Sequence, residues 1–114
     1  MNLKRREVGD VIILELSGKL MGGPDAALFH DTIKDLLTSD RKKIVVNLSS
    51  LNWINSTGLG ILISGYTSVK NAGGQLKLTS VAERVQSIFM ITKLATVFES
   101  YPNEDEAVAS FGGE

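Results

Sequence analysis

KIVVNLSSLNWINSTGLGILISGYTSVK, residues 43–70, is the stretch that decides the fold. Ile44, Val45, Val46 and Leu48 make a short apolar run rich in β-branched side chains. That is the pattern of a strand buried on both faces. A polar turn is expected over residues 47–52, with Leu48 and Leu51 as apolar interruptions. Asn55, Ser56 and Thr57 then stand directly before Gly58-Leu59-Gly60. Beyond them Leu59, Leu62, Ile63, Tyr66 and Val69 recur at helical spacing. A buried strand therefore delivers three small polar side chains to the first turn of a helix.

A helix start has N–H groups without intrahelical partners and a partial positive charge. Asn and Ser are favoured there because their side-chain oxygens accept from those N–H groups. Capping alone accounts for Asn55, Ser56 and Thr57, and the local pattern favours that plain reading. The same position also tolerates an anion, so a hydroxyl in the first turn could carry a phosphate without disturbing the helix. Gly58 and Gly60 lack side chains, which would let another surface approach the backbone closely.

Outward from this centre, strands and helices alternate. Residues 3–8 are a weak strand candidate, Gly9-Asp10 a turn, and residues 11–16 a strong strand, so the pair forms an antiparallel hairpin. Residues 17–23 read as a loop. Pro24 and Asp25 suit a helix start, and Ala26, Phe29, Ile33, Leu36 and Leu37 form its apolar stripe. After the central helix, residues 71–74 give a glycine-rich stop, and residues 75–79 alternate like a strand with one buried face. A third helix is expected after Ser80, with Val81, Val85, Ile88 and Phe89 inward. Residues 97–101 follow as a short strand. Asn103 then caps a last helix anchored by Val108 and Phe111. The expected order is β-β-α-β-α-β-α-β-α over a single domain, residues 1–114. That is an α/β fold with a mixed, mostly parallel five-stranded sheet and four helices.

Composition narrows the function. The net charge of −1 supplies no basic excess to neutralise phosphates, so no nucleic-acid partner is expected. Lys4-Arg5-Arg6 and Arg41-Lys42-Lys43 read as solvated strand ends. The absence of cysteine removes disulfides, thiolate chemistry and the usual structural zinc sites. The single histidine, His30, falls in a helix with no second imidazole, so a half-buried or solvated side chain is expected and no metal site. No signal peptide and no membrane-spanning segment are visible, which points to a cytoplasmic protein.

No enzyme signature emerges. The phosphate-loop pattern is absent, and the dinucleotide pattern fails because Ile63 stands where its third glycine belongs. Ser64 lacks the leading glycine of a nucleophile elbow. Neither an enzyme nor a cofactor is expected.

The chain resembles the STAS family, which comprises bacterial anti-sigma factor antagonists and related domains of sulfate transporters. The resemblance extends over nearly the whole length. It rests on the hairpin, Gly18-Lys19-Leu20 after the second strand, the strand IVVNL, the segment LNWINSTGLG and the exit NAGGQLKL. It implies a regulatory binding protein whose partner is an anti-sigma factor kinase, a histidine-kinase-like ATPase. Thr57 matches the phosphoacceptor of the family signature, and phosphorylation there would end binding. The contact edge it implies takes in Met21, Gly22, Gly23, Asn55, Ser56, Thr57, Gly58, Leu59 and Gly60.

Two positions depart from the family pattern. Asn55 replaces the usual Asp of the signature, and Met21 stands where many phosphorylated antagonists have Asp. These departures motivate the alternative of a scaffold subunit without phosphorylation, in a signalling or transport assembly. A nucleotide or small-anion binder using the helix start is a third reading, and a homo-oligomer is left open. Trp53 is expected to pack beneath the signature loop, with an interface anchor as the lesser alternative.

Overall fold

The computed structural model describes residues 1–79 and 99–112. In chain order the elements are β1 (Asn2–Val8), β2 (Val11–Leu20), α1 (Pro24–Thr38), β3 (Lys43–Ile54), α2 (Ser56–Asn71), β4 (Gln75–Thr79), β5 (Glu99–Tyr101) and α3 (Glu104–Gly112). The sheet is mixed. β1 pairs antiparallel with β2, while β2, β3, β4 and β5 are successive parallel neighbours. The described residues hold three helices where four were expected, since the expected helix after Ser80 lies outside them.

Strand order determines where the helices go. Because β2, β3 and β4 follow one another across the sheet, crossovers of one hand place α1 and α2 on the same face. Their stripes meet there: Phe29, Ile33 and Leu36 from α1, and Leu59, Ile61, Leu62 and Val69 from α2, pack on Ile12, Leu14, Leu16, Ile44 and Val46. Gly65 makes this close approach possible, since a β-carbon on it would fall 2.4 Å from Cε2 of Phe29. The opposite face is covered by α3, whose Ala107 and Phe111 meet Val11, Ile13 and Val45. Asn103 begins α3 as expected, its Oδ1 accepting from Glu106 N at 2.9 Å. With helices on both faces, the central strands carry apolar residues at consecutive positions.

Three expectations for the strands are corrected. β2 continues through Leu20, so residues 17–20 are strand and the loop shrinks to residues 21–23. β3 continues through Ile54, so residues 47–52 are strand as well. The reason is a change of phase. Against β2, β3 carries an extra residue at two places, where Glu15 and Ser17 pair Asn47 and Ser50, and where Gly18 and Lys19 pair Leu51 and Trp53. Such bulges break period-two alternation. Beyond Val46 the buried side chains of β3 are Asn47, Leu48, Leu51 and Ile54, the last three spaced by three, and an alternation test misses them.

The third correction concerns β4. It is buried on both faces, with Leu76, Lys77, Leu78 and Thr79 all enclosed. Lys77 is only 4% exposed. It shares a register position with Val45, on the α3 side, where its Nζ donates to Ser110 Oγ at 2.7 Å and lies 4.3 Å from the centre of the Phe111 ring. A buried ammonium persists only with such partners.

Candidate functional site

The carboxyl ends of β2 and β3 lie side by side, with Leu20 in register with Ile54. The loops that leave them, residues 21–23 and Asn55, are therefore neighbours on one edge. The contact is intimate. A β-carbon on Gly22 would sit 2.8 Å from Cγ2 of Thr57, and one on Gly58 would sit 2.1 Å from the carbonyl oxygen of Leu20. Asn55 N also donates to that oxygen, at 3.4 Å. The glycine at 58 thus serves contact within the chain, correcting the expectation that an outside surface approaches it.

Asn55 is the cap of α2. Its backbone is extended, with φ −113 and ψ −178, and its Oδ1 accepts from Gly58 N at 2.7 Å. Its carbonyl accepts from Leu59 N at 2.9 Å, the first intrahelical bond. Two of the donors that a helix start leaves over are thereby paired, Asn55 N with Leu20 and Gly58 N with the cap. No carboxylate lies in the first turn of α2, whereas α1 has Asp25 there and α3 has Glu104, Asp105 and Glu106. Asn55 in place of Asp therefore leaves the start of this 16-residue helix without a carboxylate of its own.

Ser56, Thr57 and Gly60 are exposed on this edge, as are Met21 and Gly23, while Gly22 and Asn55 are half-buried. Gly58 and Leu59 are buried, which corrects their expected place in a contact surface. Gly60 is open, with nothing near the position of a β-carbon. Met21 is 47% exposed and its N–H donates to Asp25 Oδ2 at 3.4 Å. Trp53 is a correction of another kind. It does not pack beneath the loop but is 43% exposed, next to Lys19 across the β2–β3 ladder. Leu51 and Ile54 are the enclosed side chains at this end of β3. Met21 and Trp53 therefore add two large apolar side chains to a polar edge, a feature the signature motif did not announce.

His30 is half-buried, as expected, beside a groove between α1 and α2 lined by Ile33, Leu37 and Ser64 among others. Its Nε2 is buried without a hydrogen-bond partner among the described residues. No group of three or more metal-ligating side chains comes together among the described residues.

The STAS domain family model matches residues 2–107. The chain belongs to the STAS family. A Thermotoga neapolitana protein assigned to the anti-sigma factor antagonists is 33% identical over 107 residues, 93% of this chain and 94% of that protein. The crystal structure of a Thermotoga maritima protein likewise assigned to the anti-sigma factor antagonists is 28% identical and superposes with a TM-score of 0.85, covering 95% of this chain and 92% of that one. SpoIIAA, a Bacillus cell fate determinant solved in its phosphorylated form, shares the fold at 16% identity, with a TM-score of 0.74 over 96% of this chain and 99% of that one. The STAS assignment and the mixed α/β sheet anticipated from the sequence are thus established, and the chain groups with the anti-sigma factor antagonists.

Proposed function

We propose that this STAS domain is a cytoplasmic regulatory binding module that docks an anti-sigma factor kinase through the Met21–Thr57 edge and is released when Thr57 is phosphorylated. The observation that carries the proposal is the exposed Thr57, in the first turn of α2 and against the loop of residues 21–23. In the transfer, Thr57 Oγ1 would attack the γ-phosphorus of ATP. The new O–P bond replaces the bond to the β-phosphate, ADP departs, and the hydroxyl proton passes to a base on the kinase. The phosphorylated relative SpoIIAA supports such a switch by analogy.

Topology favours a protein partner over a small ligand. Ligand crevices in open α/β sheets form where strand order reverses and successive helices leave on opposite faces. Here α1 and α2 leave on the same face and the order does not reverse along β2–β3–β4. The edge is consequently a surface bearing Met21, Ser56, Thr57 and Gly60, with Trp53 nearby on β3. A phosphate added there brings about −1.5 to −2 charges and three strong acceptors. A dry interface would have to desolvate them, while the start of α2, with no carboxylate of its own, tolerates them in the free protein.

Met21, apolar where a carboxylate was expected, favours the second reading, a scaffold subunit that is never phosphorylated. Pull-down from the source cell with wild type, Thr57→Ala and Thr57→Asp separates the two. The switch reading expects an ATP-dependent kinase retained by wild type and Thr57→Ala and lost by Thr57→Asp, with phosphate mapped to Thr57 by mass spectrometry. Capture of the same partners by all three forms, with no phosphate on Thr57, would establish the scaffold instead.

A further inference from the structure

We infer that Gly22 is a positioning residue for the Thr57 hydroxyl, an inference that rests on the reading of Thr57 as phosphoacceptor. Threonine differs from serine by one methyl group, and that methyl must go somewhere. Here Cγ2 of Thr57 is turned toward Gly22, so closely that a β-carbon on Gly22 would lie 2.8 Å from it. Real β-carbons essentially never come that near another atom, and the same carbon would be 3.7 Å from Cβ of Thr57. The space a side chain would fill at residue 22 is therefore the space the threonine methyl uses.

The consequence for the hydroxyl is stereochemical. A β-branched side chain has few staggered χ1 states, and placing Cγ2 in one well fixes Oγ1 in another. Thr57 is exposed, and the Gly22 loop lies against its methyl, so that loop together with the residue's own helix constrains the choice among those states. The loop is itself set by neighbours on both sides. Gly22 and Gly23 take φ +118 and +62, Asp25 N donates to Gly22 O at 3.4 Å, and Met21 N donates to the Asp25 carboxylate. Glycine at 22 and threonine at 57 thus form a matched pair across two loops, in which the missing side chain of one accommodates the extra methyl of the other. A serine at 57 would have no methyl to seat and would present its hydroxyl in several rotamers.

The test is a two-by-two set: wild type, Gly22→Ala, Thr57→Ser and the double variant. Three-bond couplings from backbone N and C′ to Cγ2 of Thr57 report χ1 directly and need no partner. Wild type is expected to show one staggered state, and Gly22→Ala a different or averaged one. Phosphate transfer is then followed with ATP and the kinase recovered in the pull-down. Gly22→Ala is expected to slow transfer to Thr57 by about tenfold, the scale of a small misplacement of a reacting group. In the Thr57→Ser background the same change should cost little, because the clashing methyl is gone.

Gly22 also has a positive φ that alanine resists, and that strain is the same with Thr or Ser at 57. Equal slowing in both backgrounds would therefore assign the effect to the loop backbone and overturn the inference. So would an unaltered Thr57 rotamer in Gly22→Ala, or an averaged rotamer in wild type. If wild type takes no phosphate at residue 57, the acceptor reading fails by itself. The couplings then decide alone whether Gly22 fixes Thr57.

Discussion

Two glycines of α2, Gly58 and Gly60, should respond oppositely to the same substitution. A β-carbon at Gly58 would meet the Leu20 carbonyl oxygen at 2.1 Å and the carbonyl carbon at 2.8 Å. Both are backbone atoms of β2, whose Leu20 is held in the ladder to Ile54 of β3, so they cannot swing aside like the end of a side chain. Relief requires the start of α2 to move off β2, which strains the Asn55 N to Leu20 O bond and the packing of Leu59. Overpacking a tight site typically costs about 1–3 kcal/mol, and the rigid backbone neighbour places Gly58→Ala near the top of that range. For a domain of this size about 3 kcal/mol lowers the midpoint of thermal unfolding by roughly 12 °C.

Gly60 has nothing within 4 Å of its β-carbon position and lies inside the helix. Gly60→Ala should gain up to about 1 kcal/mol from helix propensity and reduced freedom of the unfolded chain, or roughly 4 °C. Urea unfolding followed by circular dichroism measures both, with equal m-values as the check that only stability has changed. Wild-type stability in Gly58→Ala, or an equal loss in Gly60→Ala, would refute the close packing of α2 against the end of β2.

Further outcomes follow from the same geometry. Asn55→Ala should cost about 1 kcal/mol in urea titration through loss of the cap bond to Gly58 N. Asn55→Asp should keep that bond and add about 0.3–1 kcal/mol at low salt, because the first turn of α2 has no carboxylate of its own. Gly65→Ala should destabilise by about 1–3 kcal/mol through contact with the buried Phe29 ring, and Phe29→Leu in the same chain should recover part of that loss, as a double-mutant cycle will show. The Asp10 carboxyl is held below its usual range by the hydrogen bond from Lys43 Nζ, at 2.7 Å, and by the charge of that ammonium. Its folded pKa is thus the lower one, so the pair's contribution is complete above the ordinary carboxylate range and is lost as pH falls through the lowered value. Thermal midpoints of wild type and Asp10→Asn should converge over that acid window, and also in high salt because the pair is exposed.

Much of this architecture was legible because its signals were local. The apolar run of β3, the stripe of α1, and the caps Asn55 and Asn103 each lie within a single element and are found where expected, while the α2 stripe also buries Ile61 and leaves Ile63 and Tyr66 partly buried. What escaped was what depends on a neighbour. The continuation of β3 to Ile54 rests on bulges defined only against β2, and the Leu48, Leu51, Ile54 spacing looks like neither a strand nor a helix in isolation. Burial of Lys77 needs α3 and β5 on either side of it, so alternation in β4 suggested one open face that does not exist. The family resemblance, with an aromatic or large apolar residue at this position, implies an inward Trp53. Its phase after the second bulge puts it outward, opposite the buried Leu51 and Ile54. The glycines illustrate the same limit, since one sequence pattern, Gly58-Leu59-Gly60, holds one glycine demanded by packing and one that is open.

That difference between the two glycines bears on how the proposed switch would work without disturbing the fold. Of the donors at the start of α2, Asn55 N and Gly58 N are already engaged, by Leu20 and by the cap. The N–H groups of Ser56 and Thr57 are the other two that a helix start leaves without intrahelical partners, and they belong to the exposed residues of the edge. A phosphate on Thr57 would arrive where the dipole favours it and where donors without an intrahelical partner lie nearby, while the elements that hold the helix in place stay engaged beneath it. Its cost would fall on a partner's surface rather than on this chain. Folding stability and partner affinity would then be separable, with Gly58 and Asn55 acting on the first and the state of Thr57 on the second.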